Sequence, residues 1–315
     1  MKITVLDGFA VNPGDLDWEI LEPYGQVTVY DRTESQQQSI QRIGDSQIVL
    51  VNKTPLPASV IEACPSIRMI GMLATGYNIV DVECARRHGI PVCNVPCYST
   101  DSVAQFSIAL LLEICHHIGR HDVLVHQGAW TSCQDFCLWT TPQIELAGKT
   151  MGIIGYGRIG QKTAEIARAL GMAVLAYSRT PKPEGTFVDL DALLAQSDVV
   201  SLHCPLFPQT RELINRERIA KMKDGAILIN TARGGLLEEQ AVADALAEGK
   251  LRAVGLDVAT VEPIQKDNPL LSAPNCVITP HMAWTPIEAR RRLLSTVRDN
   301  IRCFIQGCPQ NVVNP

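Results

Sequence analysis

The sequence predicts an α/β protein made of two doubly wound parallel sheets, and three features predict it. Short β-type runs alternate with helical runs from the first residues onward. The alternation begins afresh at Met151, and a long apolar helical stretch with an irregular segment behind it separates the two series. Parallel strands need crossover connections, and strand–helix alternation supplies them, placing helices on both faces of each sheet. Such crossovers are right-handed as a rule. At 315 residues the chain is long enough for two domains with separate cores.

In chain order, the first series reads as strands over 2–7, 26–30, 47–51, 69–73 and 91–94. Helical patterns lie between them, near 15–22, 34–43, 57–63 and 79–88, the last closed by Gly89. Ser99-Thr100-Asp101 is an N-cap signal opening a helix that runs to about Arg120. Its 103–115 section is apolar nearly all round, which predicts central burial. Residues 128–148, with Pro142 and two tryptophans, read as an irregular segment that covers a core or reaches toward another subunit. The second series has strands over 151–154, 173–177, 198–202, 226–230, 253–257 and 276–278. Its helices lie near 158–170, 189–196, 215–221 and 238–248, and a final helix over 286–305 ends at Gly307.

Apolar residues make up 46% of the chain and charged residues 19%, values of an ordinary folded protein. The net charge of −5 contains no long basic run, which argues against a nucleic-acid partner. The eleven cysteines are dispersed, and the closest pairs lack C-x-x-C spacing, so reduced thiols in a cytoplasmic protein are expected. The N-terminal run Met1–Asp7 is a strand pattern and not a targeting segment. The most apolar stretch, 103–115, is too short to span a bilayer and carries Gln105 and Glu113, so no membrane role is expected.

The motif around which the second series is organised is Gly155-Tyr156-Gly157-Arg158-Ile159-Gly160, between an apolar strand and a helical pattern closed by Gly171. G-x-G-x-x-G in that context points to dinucleotide binding. Gly155 permits the tight turn, Gly157 lets backbone approach a pyrophosphate, and Gly160 lets helix and strand pack closely. The unpaired N–H groups and the dipole of the helix then hold the phosphates.

Three further patterns stand at strand ends, where ligands bind in open α/β sheets. They are Asn230-Thr231-Ala232-Arg233-Gly234-Gly235, Gly255-Leu256-Asp257-Val258 followed by Glu262-Pro263, and Thr279-Pro280-His281-Met282-Ala283-Trp284. An arginine, a glutamate and a histidine so placed could face one bound cofactor.

With these motifs the whole chain resembles the D-isomer-specific 2-hydroxyacid dehydrogenases. The glycerate dehydrogenase and hydroxypyruvate (glyoxylate) reductase branch is suggested by Leu73-Ala74-Thr75-Gly76-Tyr77-Asn78, Tyr98–Gln105 and the Asn52–Leu56 loop. The resemblance implies a Rossmann dinucleotide-binding domain, about 99–285, inserted into a flavodoxin-like substrate domain of about 1–98 plus 286–315. It implies Arg233, Glu262 and His281 as catalytic residues. The chemistry suits each: Arg233 holds the substrate carboxylate and polarises the keto oxygen, His281 is the acid that protonates the developing alkoxide, and Glu262 orients the imidazole and favours its charged form. Leu73, Ala74, Thr75 and Gly76 resemble the loop that offers N–H groups to the carboxylate, and Lys53 points to the same substrate. The resemblance also assigns Val103, Arg158, Ile159, His203, Cys204, Pro205, Thr231, Ala232 and Asp257 to the cofactor, with Asp257 on the nicotinamide carboxamide.

The resemblance implies NAD(P) as the cofactor. NAD-binding folds usually place an acid after the second strand, for the ribose 2′-OH. Here the run is Ser178-Arg179-Thr180-Pro181, without one, and Ser178, Arg179 and Thr180 suit a 2′-phosphate, which favours NADP(H) and leaves NAD(H) open. The expected substrate is a small 2-oxo or D-2-hydroxy acid. Family relatives that oxidise formate or phosphite share the architecture, and corepressors resembling C-terminal-binding protein offer a dinucleotide-sensing alternative. Phe136 and Trp139 are placed to close a small pocket, in this subunit or a neighbouring one, and the 121–148 segment is the expected homodimer interface. His116, His117, His121 and His126 have helical spacings that could hold a metal, but the family needs none, and no metal is expected.

Overall fold

The structure is a computed structural model that describes residues 1–180 and 185–315. Pro181, the end of the run considered for the 2′-phosphate, lies outside the described residues. The chain forms two compact units, Met1–Ser99 with Trp284–Pro315, and Thr100–Ala283. Trp284 falls in the first unit because its ring meets Tyr98 edge-on, with centroids 6.5 Å apart.

The first unit contains β1 (Lys2–Val5), β2 (Gln26–Val29), α1 (Gln36–Ile43), β3 (Ile48–Val51), α2 (Ala58–Ala63), β4 (Met69–Met72), α3 (Val82–Arg87) and β5 (Val92–Cys93). The sheet is parallel, in the order β2-β1-β3-β4-β5. Alternation along the strands sorts the core into two faces. Ile3, Val5, Ile48, Leu50 and Met69 pack with Leu293, Leu294 and Val297 of the C-terminal helix (Ile287–Ile305). Val49, Val51, Ile70 and Met72 pack on the other side with Ile43, Val60 and Cys84 of α1, α2 and α3. α1 starts where Ser35 accepts the Gln38 N–H, and α3 where Asp81 accepts the Cys84 N–H. That cap is why the helix predicted from residue 79 begins at Val82.

The helix predicted over 15–22 does not form. Asn12 closes a loop on Leu16, accepting its N–H at Oδ1 and donating from Nδ2 to its carbonyl, and Asp17 Oδ1 accepts the Glu19 N–H where a 3-10 turn over Glu19–Tyr24 begins. The C-terminal tail covers the β5 edge: Val312 bridges Cys93 antiparallel, and buried Asn314 accepts the Val92 N–H at 2.8 Å and donates to the carbonyls of Ile90 (3.0 Å) and Val82 (3.3 Å). Asn314→Ala leaves these groups unpaired and is expected to cost about 2–4 kcal/mol, read as a lower urea midpoint at unchanged slope.

The second unit contains α4 (Thr100–His116), α5 (Ile118–His126), β6 (Thr150–Ile154), α6 (Arg158–Ala169), β7 (Ala173–Tyr177), α7 (Leu190–Gln196), β8 (Val199–Leu202), α8 (Arg216–Lys221), β9 (Ala226–Asn230), α9 (Glu239–Ala247), β10 (Leu251–Leu256) and β11 (Cys276–Ile278). Its parallel sheet has the order β11-β10-β9-β8-β6-β7, reversing direction between β6 and β8. Phe187 bridges Ala176 in parallel, where the third strand of a 3-2-1-4-5-6 order would lie. β8 and β9 are buried along their whole length, as parallel strands covered on both faces must be.

The helix predicted through Arg120 breaks at His117, which adopts a left-handed φ of 47°, and α5 leaves at 53°. α4 is the buried part and packs on β10, where a Cβ at Gly255 would lie 3.1 Å from Ile114 and 3.2 Å from Leu110. No single helix among the described residues is long and apolar enough to cross a membrane. The eleven cysteines are free thiols.

Candidate active site

β6 delivers the chain into the glycine turn at the point where the sheet order reverses. Gly155 has φ +100°, and a Cβ there would lie 2.5 Å from the Cys204 nitrogen, so both conformation and space demand glycine. A Cβ at Gly160 would lie 2.2 Å from the Gly155 oxygen, which is how closely α6 approaches the turn. Gly157, the N-cap of α6, is different: nothing lies within 4 Å of its absent Cβ. The helix N-terminus is thus open to an approaching group, and its N–H donors and dipole suit a pyrophosphate. The residues fit a dinucleotide.

Around this turn stand the other predicted cofactor residues. Arg158 and Ile159 form the first turn of α6. Ser178 is half-buried after β7, Arg179 and Thr180 are exposed, and no acid stands among these residues. His203 and Cys204 follow β8 against Gly155. Burial lowers the His203 pKa to about 4, and its Nε2 lies 2.9 Å from Ser201 Oγ, so the ring is a neutral wall at ordinary pH. Burial pushes the Cys204 thiol up to about 11, which suits a wall residue and not a nucleophile. Pro205 next to it is exposed. Ser107 donates to the Val103 carbonyl at 2.8 Å, so across the 2.7 Å contact the Thr231 hydroxyl must donate to Ser107, tying the end of β9 to α4.

Arg233 is projected by a side-chain-built turn. Asn230 Oδ1 accepts the Ala232 N–H at 3.0 Å, and its Nδ2 donates to the Arg233 carbonyl at 2.8 Å. One guanidinium nitrogen donates to the Ala232 carbonyl at 2.7 Å; the side chain is exposed. Gly234 brings this turn against the next loop, where a Cβ would lie 1.9 Å from the Ala259 carbonyl carbon. That loop carries Glu262, whose Oε1 accepts the Ala259 N–H at 3.1 Å. Glu239 at the start of α9 pins the loop by accepting the Thr260 N–H (2.8 Å) and the Asn268 amide (2.9 Å).

His281 Nδ1 lies 2.6 Å from Glu262 Oε2. A carboxylate oxygen can only accept, so Nδ1 carries the hydrogen and Nε2 is left for chemistry. His281 holds an unusual φ of +52°, which persists only if its surroundings over-determine it. Asp257 does so. Its carboxylate, in a residue only 1% exposed, accepts from Thr279 Oγ1 at 2.7 Å and from the N–H groups of Met282 and Ala283 at 2.9 and 2.8 Å, on both sides of the histidine. Burial raises the Asp257 pKa, and those hydrogen bonds oppose the shift.

In the first unit, Leu73–Gly76 forms a turn after β4. Leu73 donates to the Val51 carbonyl, the Ala74 carbonyl accepts the Val95 N–H, and Thr75 Oγ1 donates to the Val95 carbonyl. Among the described residues the N–H groups of Ala74, Thr75 and Gly76 have no acceptor, as an anion-binding turn requires. Lys53 is exposed and makes no ion pair among the described residues. Phe136 and Trp139 are 90% and 63% exposed. Among the described residues no three His, Cys, Asp or Glu side chains are grouped to hold a metal, and both nitrogens of His121 are engaged, by the His117 carbonyl and the Thr140 N–H.

Sequence reasoning missed Asn230 and Glu239, and it placed Asp257 on the cofactor without its hold on the histidine loop. Asn230 lay in view beside its own motif. Glu239 acts across 21 residues on Thr260, and no local pattern carries that signal.

A reversed sheet order with a glycine turn opening on a helix N-terminus defines the class of a dinucleotide-binding protein. Residues 108–283 match the family model of the D-isomer specific 2-hydroxyacid dehydrogenases, NAD binding domain, and the chain belongs to that family. It is an NAD(P)-dependent oxidoreductase that transfers hydride between a nicotinamide and small 2-oxo or 2-hydroxy acids. The chain is 57% identical over 321 residues to a hydroxypyruvate reductase of Blautia hydrogenotrophica, covering 100% of both chains. It is 39% identical over 286 residues to a glycerate dehydrogenase of Methylorubrum extorquens, covering 90% of each. Among solved structures, an acyclic imino acid reductase in complex with NADPH and D-Arg superimposes with a TM-score of 0.86 at 32% identity, over 99% of this chain and 100% of that one.

Proposed function

We propose that the chain reduces hydroxypyruvate to D-glycerate, with glyoxylate as a second substrate, and that NADPH is preferred to NADH. The observation that carries the chemistry is the 2.6 Å His281–Glu262 pair, held on a loop whose backbone meets the Arg233 turn. The similarity to hydroxypyruvate reductase and glycerate dehydrogenase supports the choice of acid.

By the family resemblance, Arg233 of the second unit is assigned to the substrate carboxylate, and so, within the first unit, are the N–H groups of Ala74, Thr75 and Gly76 and the charge of Lys53. Arg233 also polarises the keto oxygen. The bound cofactor supplies the hydride that arrives at C2. His281 Nε2 donates a proton to the oxygen that becomes the alcohol, and takes it back in the reverse direction. Glu262 accepts from Nδ1 throughout, fixing the tautomer and stabilising the imidazolium. Asp257 faces the nicotinamide carboxamide and holds the His281 loop, while Val103, His203, Cys204, Pro205, Thr231 and Ala232 line the cofactor.

The NADPH preference rests on Ser178, Arg179 and Thr180, which supply hydroxyls and a guanidinium where an acid would repel a 2′-phosphate. Arg179→Ala is expected to raise the NADPH dissociation constant about tenfold and to leave NADH within about twofold. Equal losses remove the basis for the preference. Relative rates with hydroxypyruvate, glyoxylate and pyruvate test the substrate; pyruvate as the best of the three overturns that choice.

The protein works as a cytoplasmic homodimer in this reading. Ile118, Val123, Trp130, Phe136 and Trp139 expose large apolar side chains on α5 and the segment after it, a patch that a second copy would cover.

A further inference from the structure

The turn that presents Lys53 is built by a residue far away in sequence. Three successive backbone N–H groups after β3 converge on the carboxylate of Asp7, just beyond β1. Oδ1 accepts the Asn52 N–H at 2.7 Å, and Oδ2 accepts those of Lys53 and Thr54 at 2.5 and 2.7 Å. β1 and β3 are neighbours where the sheet order reverses, so Asp7 spans the strand ends at the place where open α/β sheets bind ligands.

Asn52 extends the construction. It is 4% exposed, its Nδ2 donates to the Leu73 carbonyl at 2.6 Å, and its Oδ1 has no partner among the described residues. A buried amide left half-satisfied is costly, and that cost is tolerated at a place that joins two turns. Leu73 in turn donates to the Val51 carbonyl at 2.7 Å. The Lys53 turn and the Leu73–Gly76 turn are therefore one hydrogen-bonded assembly anchored on Asp7. Because the Asp7 carboxylate is taken up by N–H dipoles, it is not paired with the Lys53 ammonium, whose charge remains for an anion.

We propose that Asp7 is a positioning residue for substrate binding. It fixes residues 52–54 and, through Asn52, the 73–76 turn, so that their donors are already arranged when the carboxylate of the 2-oxo acid arrives. This rests on the assignment of Lys53 and Leu73–Gly76 to the substrate. Asp7 touches no reacting atom, so it acts on KM and not on the chemical step.

The test is Asp7→Asn, assayed with hydroxypyruvate at saturating NADPH. The amide places an NH2 group where an acceptor stood, opposite backbone donors. KM is expected to rise about tenfold with kcat within about twofold and NADPH affinity unchanged. An unchanged KM overturns the proposal, as does a joint loss of kcat and cofactor affinity, the signature of general loosening. If Asp7→Asn yields no folded protein, Asn52→Ser, too short to reach the Leu73 carbonyl, is read by the same criteria.

Backbone amide exchange separates this inference from the reading beneath it. Oxamate added to the parent NADPH complex should slow exchange at residues 74–76, and Asp7→Asn should need about tenfold more oxamate for the same effect. Slowing at the same concentration in both proteins overturns the role of Asp7 alone. No slowing in the parent overturns the substrate assignment of that turn, and the inference with it.

Discussion

Replacing His281 by alanine is expected to lower kcat by about a thousandfold while leaving cofactor affinity within about twofold. The size of the effect follows from the lack of a substitute donor. Glu262 faces Nδ1 as an acceptor, and the Asp257 carboxylate is buried and accepts from the 279–283 loop. The proton would then come from water, without the positioning that the over-determined His281 backbone provides. Cofactor affinity should be spared because the glycine turn and the start of α6 are built from other elements. Stopped-flow measurement of hydride transfer, with cofactor binding followed by fluorescence, checks both halves. A kcat within tenfold of the parent would remove His281 from the chemistry.

The second large effect is expected at Arg233. Arg233→Ala should lower kcat/KM by about three orders of magnitude, because in the proposed seating it removes a charge-assisted fork from the carboxylate and a polarising charge from the keto oxygen. Both KM and kcat should change, since the first contact exists in the bound ground state and the second strengthens as charge develops on oxygen. The fold should survive. Asn230 builds the turn through the backbone of residues 232 and 233, and the arginine side chain is exposed. Steady-state kinetics with a thermal melt separate the two. A change in KM alone would confine Arg233 to binding.

The cofactor turn was legible because its physics is local: three glycines between an apolar strand and a helix state their own geometry. The strands were legible for a related reason, since parallel strands buried on both faces leave short apolar runs such as Ile48–Val51 and Ala226–Asn230. The break at His117 was not legible. A non-glycine residue in left-handed conformation interrupts the chain while the apolar pattern runs on into Ile118. The false helix at 15–22 had the right spacing of Leu16, Ile20 and Leu21, but the side chain of Asn12 donates to the Leu16 carbonyl that a helix would use, and Asp17 takes the Glu19 N–H. Arg233, Glu262 and His281 stood out as candidates through motifs at strand ends together with the family resemblance. Asp7, Glu239 and Asn314 did not, because each acts on backbone 21 to 232 residues away and leaves no periodic trace.

The most direct test of the account is the reaction of hydroxypyruvate with NADPH and with NADH in parallel, following cofactor oxidation and the configuration of the glycerate formed. The account predicts rapid oxidation, faster with NADPH, and D-glycerate as the product. Tight cofactor binding with no turnover on hydroxypyruvate, glyoxylate or pyruvate would contradict it and mark the chain as a dinucleotide sensor. L-Glycerate as the product would contradict the proposed seating of substrate between Arg233 and His281.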